Sequence, residues 1–192
     1  MSLVRSDATM NDENPAGLPV VLPDLEAVYR AHAPTVARWA AKLAGPLIDV
    51  DDLVHEIFLV VGRRLPEFRG DAKVTTWLFR ITERVARESR RRDRFRRWFA
   101  RTRRLEIERT TAPTRLTPVD DLERRQSKET VYRILDRLPD KYRKVMILFE
   151  LEELSGEEIA ALTGLKLATV WVHLHRARAC FLAEMKRDSR RR

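Results

Sequence analysis

The 192-residue chain has a single cysteine, Cys180, which excludes an internal disulfide and makes a reducing cytoplasm the expected setting. Its four histidines have no cysteine partners at metal-ligand spacing, so no zinc site is expected. Glycine is scarce at six residues, and no phosphate-cradling G-x-x-x-x-G-K-[ST] or G-x-G-x-x-G loop occurs. H-E-x-x-H and a nucleophile elbow are missing too. The carboxylates Glu150, Glu152, Glu153, Glu157 and Glu158 lack the histidines or buried setting that acid–base work requires. These absences argue against an enzyme and against a cofactor. The longest apolar runs, such as IFLVV, are far shorter than the ~20 residues of a membrane span, and the N-terminus lacks an apolar signal region. Neither insertion nor export is expected, and no period-2 alternation suggests a strand.

Positive charge is abundant. The chain carries 38 Lys+Arg against 29 Asp+Glu, a formal charge of +9. Between Arg69 and Arg109 there are fifteen basic and six acidic residues, 15 − 6 = +9, so this segment alone accounts for the net charge. A polyanionic partner follows, either nucleic acid or an anionic membrane surface.

Residues 1 to 22 mix Ser, Asp, Asn, Gly and Pro without period and read as a disordered leader. Helical periodicity begins at Leu25, with Pro34 expected to start a new turn or kink the helix. A second helix runs from DVDD, where Asp49, Asp51 or Asp52 can cap the free amides, to about Leu65, with Leu53, Ile57, Val60 and the stem of Arg64 as its expected core stripe. After the turn FRGDAK, a long basic helix extends to about residue 98. Residues 99–121 hold clustered Thr and Pro and read as a flexible linker. A second helical block starts near Leu122 and ends at about Met185. The expected fold is all-α, in two small helical domains.

Ser155 and Glu158 form a capping box, and Gly164 stands where a helix needs positive φ to end. Helix, glycine turn and helix then follow at helix-turn-helix spacing, which a plain helical hairpin would share. On the second helix, Val170, Leu174, Ala177 and Phe181 fall in one 60° arc at 100° per residue and should face the core, leaving Ala168, Thr169, Val172, His175 and Arg176 outward. Arginines of the basic helix beside Trp77, Phe79 and Phe95 suit a phosphate-tracking surface with stacking rings; the alternative is a solvated charged face with Trp77 and Phe79 buried as core. In DVDDLVHEIFL, His55, Glu56, Phe58 and Leu59 lie partly off the core stripe, as in a protein-docking patch; helix capping alone also explains the aspartates. A dimeric DNA-binding repressor or activator would need a dimerisation heptad or sensor domain, and neither is evident.

The runs D-x-x-D-L-V-x-E-x-F-L, F-R-G-x-x-x-x-x-T-W-L-x-R-I, L-P-x-x-Y-R-x-V, and L-S-x-E-E-I-A-x-x-T-G to L-H-R-A-R occur in that order. In this the chain resembles extracytoplasmic-function sigma factors, a minimal type of bacterial RNA polymerase specificity subunit. The resemblance implies sigma region 2 over 23–98 and sigma region 4 with its helix-turn-helix over 122–187, followed by a basic tail 188–192. It further implies that Asp52, His55, Glu56, Phe58 and Leu59 bind core RNA polymerase. Arg69, Lys73, Thr76, Trp77, Arg80 and Arg84 would take the −10 element as single strand. Lys166, Thr169, Val172, His173, His175, Arg176 and Arg178 would meet the −35 duplex. Promoter DNA and an anti-sigma factor are the other implied partners.

The chain departs from the family at three positions: Lys166 replaces the usual Ser or Pro, and Trp171 and His173 replace basic residues. Trp171 lies about 90° from the core arc, so it is expected to pack half-buried on a neighbouring helix while Arg176 and Arg178 meet phosphates. The linker is basic over its first half, where family linkers are often acidic.

Overall fold

The computed structural model describes residues 24–104 and 119–190, and every described element is helical. The expected leader, the central part of the linker and the last two residues of the tail lie outside them.

Helix α1 (Leu25–Ala44) runs unbroken through Pro34 and ends at Gly45, whose N–H donates to the Ala41 carbonyl at 3.0 Å and whose φ of 93° turns the chain out of the helix. Helix α2 (Val50–Arg64) starts on Asp49, whose carboxylate accepts from the amides of Asp51 and Asp52 at 2.9 and 3.1 Å. Acidic Asp51 and Asp52 in its first turn and Arg63 and Arg64 in its last both suit the helix dipole. A 3₁₀ turn (Leu65–Glu67) precedes α3 (Val74–Arg104), which continues past residue 98.

These three helices form the first block. Val28, Val36, Trp39 and Leu43 of α1 and Leu78, Phe79, Ile81 and Val85 of α3 close over Leu53, Ile57 and Val61 of α2. Trp39 meets Phe79 edge-on at 5.2 Å. Two expectations change here. Val61, not Val60, is fully buried, and the Arg64 side chain is exposed. Phe79 is core, as the reading of a solvated basic face with buried aromatics has it, and offers no face to a base.

The second block holds α4 (Val119–Leu135), α5 (Asp140–Met146), a π-helical turn (Ile147–Leu151), α6 (Gly156–Thr163) and α7 (Leu167–Ser189). Ser155 Oγ accepts from the Glu158 amide at 3.1 Å, and the Glu158 carboxylate accepts from the Ser155 amide at 2.7 Å, which satisfies two of the helix's free donors. Gly164 ends α6 at φ 73°. Val170, Leu174 and Ala177 of α7 are buried against this block, on the face the 100° periodicity predicts.

The two blocks pack directly on each other and share one apolar core. Gly45 makes this contact possible: a Cβ there would lie 2.8 Å from the Tyr132 ring of α4. Around the seam run ion pairs between blocks. Arg90 of α3 reaches Asp136 at 3.2 Å and Asp140 at 3.0 Å, Lys144 reaches Glu83 at 2.8 Å, and Glu152 takes Arg38 at 2.8 Å and Lys42 at 2.9 Å. At the centre, the 2% exposed Arg143 donates to the Leu43 carbonyl at 2.7 Å, supplying a cation at the C-terminal end of α1.

Candidate nucleic-acid interface

The C-terminal half of α2 and the first turns of α3 enclose an open cleft of about 540 Å³ lined by Val60, Arg63, Arg64, Trp77, Arg80, Ile81, Arg84, Val85 and Glu88. It gathers three residues expected at a single-strand site, Trp77, Arg80 and Arg84, and adds two that sequence reasoning missed, Arg63 and Arg64. Their spacing on α2 read only as a helix end, so nothing local placed them opposite α3. Trp77 is half-buried and leans on Phe68 at 5.0 Å, which holds the ring at the cleft wall. The four arginines face one acidic residue, Glu88, which pairs with Arg84 at 3.1 Å. An aromatic edge among guanidinium groups that outnumber the one carboxylate is suited to an unstacked base and its phosphates.

Arg69 and Lys73 are exposed on the preceding loop, outside the cleft lining. Thr76 points to the other block: its hydroxyl donates to the Ala161 carbonyl of α6 at 3.3 Å. Arg80 also touches that block, since its guanidinium lies 2.8 Å from where a Cβ on Gly164 would stand. Glycine at 164 therefore serves both the helix end and this approach. In this closed arrangement α6 partly covers the edge of the cleft.

On the outer face of α2, Asp52, His55 and Leu59 are exposed, Leu59 by 48%. Phe58 is corrected: it is 7% exposed and packs edge-on against Tyr29 at 4.6 Å. Helix α2 is covered by both α1 and α3, so its apolar stripe is wider than a one-sided helix would need. Glu56 is half-buried and accepts from Arg92 of α3 at 2.6 and 2.8 Å. Of the five residues expected at a docking patch, Asp52, His55 and Leu59 are the exposed ones.

On α7, Val172, His175 and Arg176 are exposed and Thr169 is half-buried. Lys166 is the N-cap and its side chain accepts no backbone bond, so α7 starts uncapped. Arg178 is engaged by Glu150 at 2.7 Å and lies over the Phe149 ring at 5.3 Å. His173 is half-buried, edge-on to Tyr142 at 5.4 Å, with Nδ1 buried and without a hydrogen bond. Burial first, then the nearby Lys141, Lys144 and Arg176, push its pKa below the ordinary value. Trp171, 43% exposed, meets Phe149 edge-on at 5.8 Å and lies over Gly156, where a Cβ would come 2.6 Å from its ring.

Residues 28–97 match the family Sigma-70 region 2, and residues 128–181 match Sigma-70, region 4. RNA polymerase sigma factor YlaC of Bacillus subtilis is 31% identical over 157 residues, covering 80% of this chain and 87% of that protein. The ECF RNA polymerase sigma-E factor of Escherichia coli K12 is 31% identical over 153 residues, covering 74% and 80%. Among solved structures, CnrH in complex with the cytosolic domain of CnrY aligns with a TM-score of 0.55 at 25% identity, covering 85% of this chain and 88% of CnrH. The chain belongs to the extracytoplasmic-function group of RNA polymerase sigma factors, alternative specificity subunits that direct transcription initiation.

Proposed function

We propose that this sigma factor works by binding alone, in the cytoplasm, with three surfaces used together. Asp52, His55 and Leu59 of α2 dock on core RNA polymerase. The cleft of Trp77, Arg80, Arg84, Arg63 and Arg64, with Arg69 and Lys73 on the adjoining loop, captures the unpaired −10 strand. Helix α7 enters the −35 major groove with Thr169, Val172, His175 and Arg176. Val172 suits a thymine methyl and Arg176 a guanine edge or phosphate, so few bases are read and much of the affinity is electrostatic. The carrying observation is the cleft, where an aromatic wall and four arginines converge from two helices.

Arg178 turns towards Glu150 and Phe149, and His173 towards Tyr142, so both act by positioning α7. Because α6 lies on Thr76 and Arg80, the two blocks must separate before the cleft takes a strand. A protein that grips both blocks would hold the factor inactive, which is the role assigned to an anti-sigma partner; the similar CnrH forms a complex with the cytosolic domain of CnrY.

Selection from a randomised duplex pool tests the reading. With core polymerase present, the factor should enrich two sequence blocks at fixed spacing. Enrichment by the isolated chain alone would point to a direct duplex-binding regulator instead.

A further inference from the structure

A second open groove, of about 840 Å³, lies in the seam itself. The first block contributes the corner at residues 44–48 and Arg90, Arg94 and Arg97 of α3; the second contributes Gln126, Thr130 and Arg133 of α4. Each helical set steps by 4 and then 3 residues, which puts it on one face of its helix. The corner is pinned to α4 through Gly45, which lies against the Tyr132 ring. The groove therefore exists only while the blocks are closed.

Four guanidinium groups line it, Arg90, Arg94, Arg97 and Arg133, against two carboxylates, Glu129 and Asp136. Asp136 is already taken by Arg90 at 3.2 Å and Arg143 at 3.3 Å. Arg97 is engaged by Asp93, and Arg133 by Asp188 at 3.0 Å and Thr130 at 3.2 Å, in each case through Nη2 alone, so their other N–H groups are open. Arg94 is exposed and has no partner among the described residues. Arg90 is buried, and its Nε has no hydrogen-bond partner. Beside these cations the corner adds an apolar wall of Pro46 and Leu47, the latter 55% exposed.

We propose that this groove binds a nucleoside polyphosphate, with its phosphates on Arg94, Arg97 and Arg133 and its base against Pro46 and Leu47. The volume falls in the range of small-molecule sites, about 300–1,000 Å³, and is far more than inorganic phosphate fills. Guanidinium forks from two helices match phosphate oxygens in pairs. A half-exposed leucine beside a proline suits the flat face of a base, which a bare polyphosphate lacks. Since the ligand meets arginines of both blocks, it binds the closed form and shifts the balance towards it. The effect on strand binding rests on the proposed need for the blocks to separate; the site itself does not.

Isothermal titration of the full chain with ATP and with GTP tests this, and at least one should bind at a single site. Arg94→Ala and Arg133→Ala, one from each block, should each weaken that binding by about tenfold or more. Folding should survive both, because Arg94 is unpaired and Asp188 keeps Arg137 at 3.5 Å. Arg91→Ala removes the same charge from α3 outside the groove and should leave the affinity unchanged. Equal weakening by Arg91→Ala overturns the proposal, as does tripolyphosphate binding as tightly as the nucleotide. Absence of binding by both nucleotides overturns it too and leaves the strand-binding reading untouched. Saturating nucleotide should also weaken binding of labelled oligo-dT by roughly fivefold or more in the wild type, and not in Arg94→Ala. If the nucleotide binds with this variant pattern but oligo-dT affinity is unchanged, the site stands and the need for the blocks to separate falls.

Discussion

Arg143 is the sharpest place to perturb the closed form. Its guanidinium spans the seam, donating to the Leu43 carbonyl of α1 at 2.7 Å while its Nε lies 3.3 Å from Asp136, which also takes Arg90. Burial first, then the charge of Arg90, lower its pKa to about 10, so it stays cationic at neutral pH but under electrostatic stress. Arg143→Met keeps most of the volume and removes the donor. The lost charged hydrogen bond is worth about 1.5–3 kcal/mol, and the orphaned Leu43 carbonyl costs a similar amount if it stays dry. Against this, the guanidinium no longer pays desolvation, and its Nη2 already lacks a partner. A net loss of about 2 kcal/mol is expected, a shift of roughly thirtyfold towards separated blocks. The lost Arg143–Leu43 bond runs between the blocks and not within either, so each block should remain folded. Small-angle scattering should show a larger radius of gyration than the wild type at the same ionic strength, with helical content unchanged. A Met variant as compact as the wild type at low and high salt would refute the idea that Arg143 fastens the blocks.

Asp52→Arg with Leu59→Ala should weaken binding to core polymerase at least tenfold in a direct titration, with the melting temperature preserved because both side chains are exposed; Phe58→Ala should instead unfold the first block, since it empties the space against Tyr29. Trp171→Ala should lower the melting temperature of the second block by removing the cover over Gly156 and Phe149, and Gly156→Ala should do the same from the other side by pushing a methyl into the ring; calorimetry showing neither effect would leave Trp171 free to face DNA. The lowered pKa of His173 means the unfolded chain takes up a proton near the ordinary 6.5 that the folded chain resists, so stability should fall as pH drops below that value. Thermal melts from pH 7 to 5 should show a shallower drop for His173→Phe than for the wild type, and equal slopes would remove His173 from the account.

Features governed by near neighbours were legible in the sequence. The Ser155–Glu158 box, the Gly164 helix end and the Val170, Leu174 and Ala177 face depend on residues a turn or two apart, and each is where local spacing puts it. Phe58 was not legible, because whether a ring off the main stripe is buried depends on a second helix covering that flank, and Tyr29 of α1 supplies that cover. The seam was also invisible. Its partners lie far apart in sequence, from Arg90 and Asp136 to Arg38 and Glu152, and each residue taken alone reads as a solvated charge. The cleft falls between these cases: Trp77, Arg80 and Arg84 share one helix face, but Arg63 and Arg64 join them only through packing of α2 on α3.

Closure does not cover the three proposed surfaces equally, and this sets an order of events. Asp52, His55 and Leu59 are exposed in the closed form, as are Val172, His175 and Arg176, whereas Thr76 and Arg80 meet α6. Core polymerase can therefore be captured by the closed factor, while a −10 strand requires the open one. A ligand shifts such an equilibrium only by its differential affinity for the two forms. Docking on α2 alone would leave the ratio of forms unchanged. Opening must come from contacts that hold the two blocks apart, and the same free energy then appears as tighter strand binding. A partner that bridges the blocks acts with the opposite sign, adding its differential affinity to the ion pairs of the seam. Because those pairs are partly exposed and sensitive to screening, while Arg143 is not, salt should loosen the rim of the closed form well before it releases the centre.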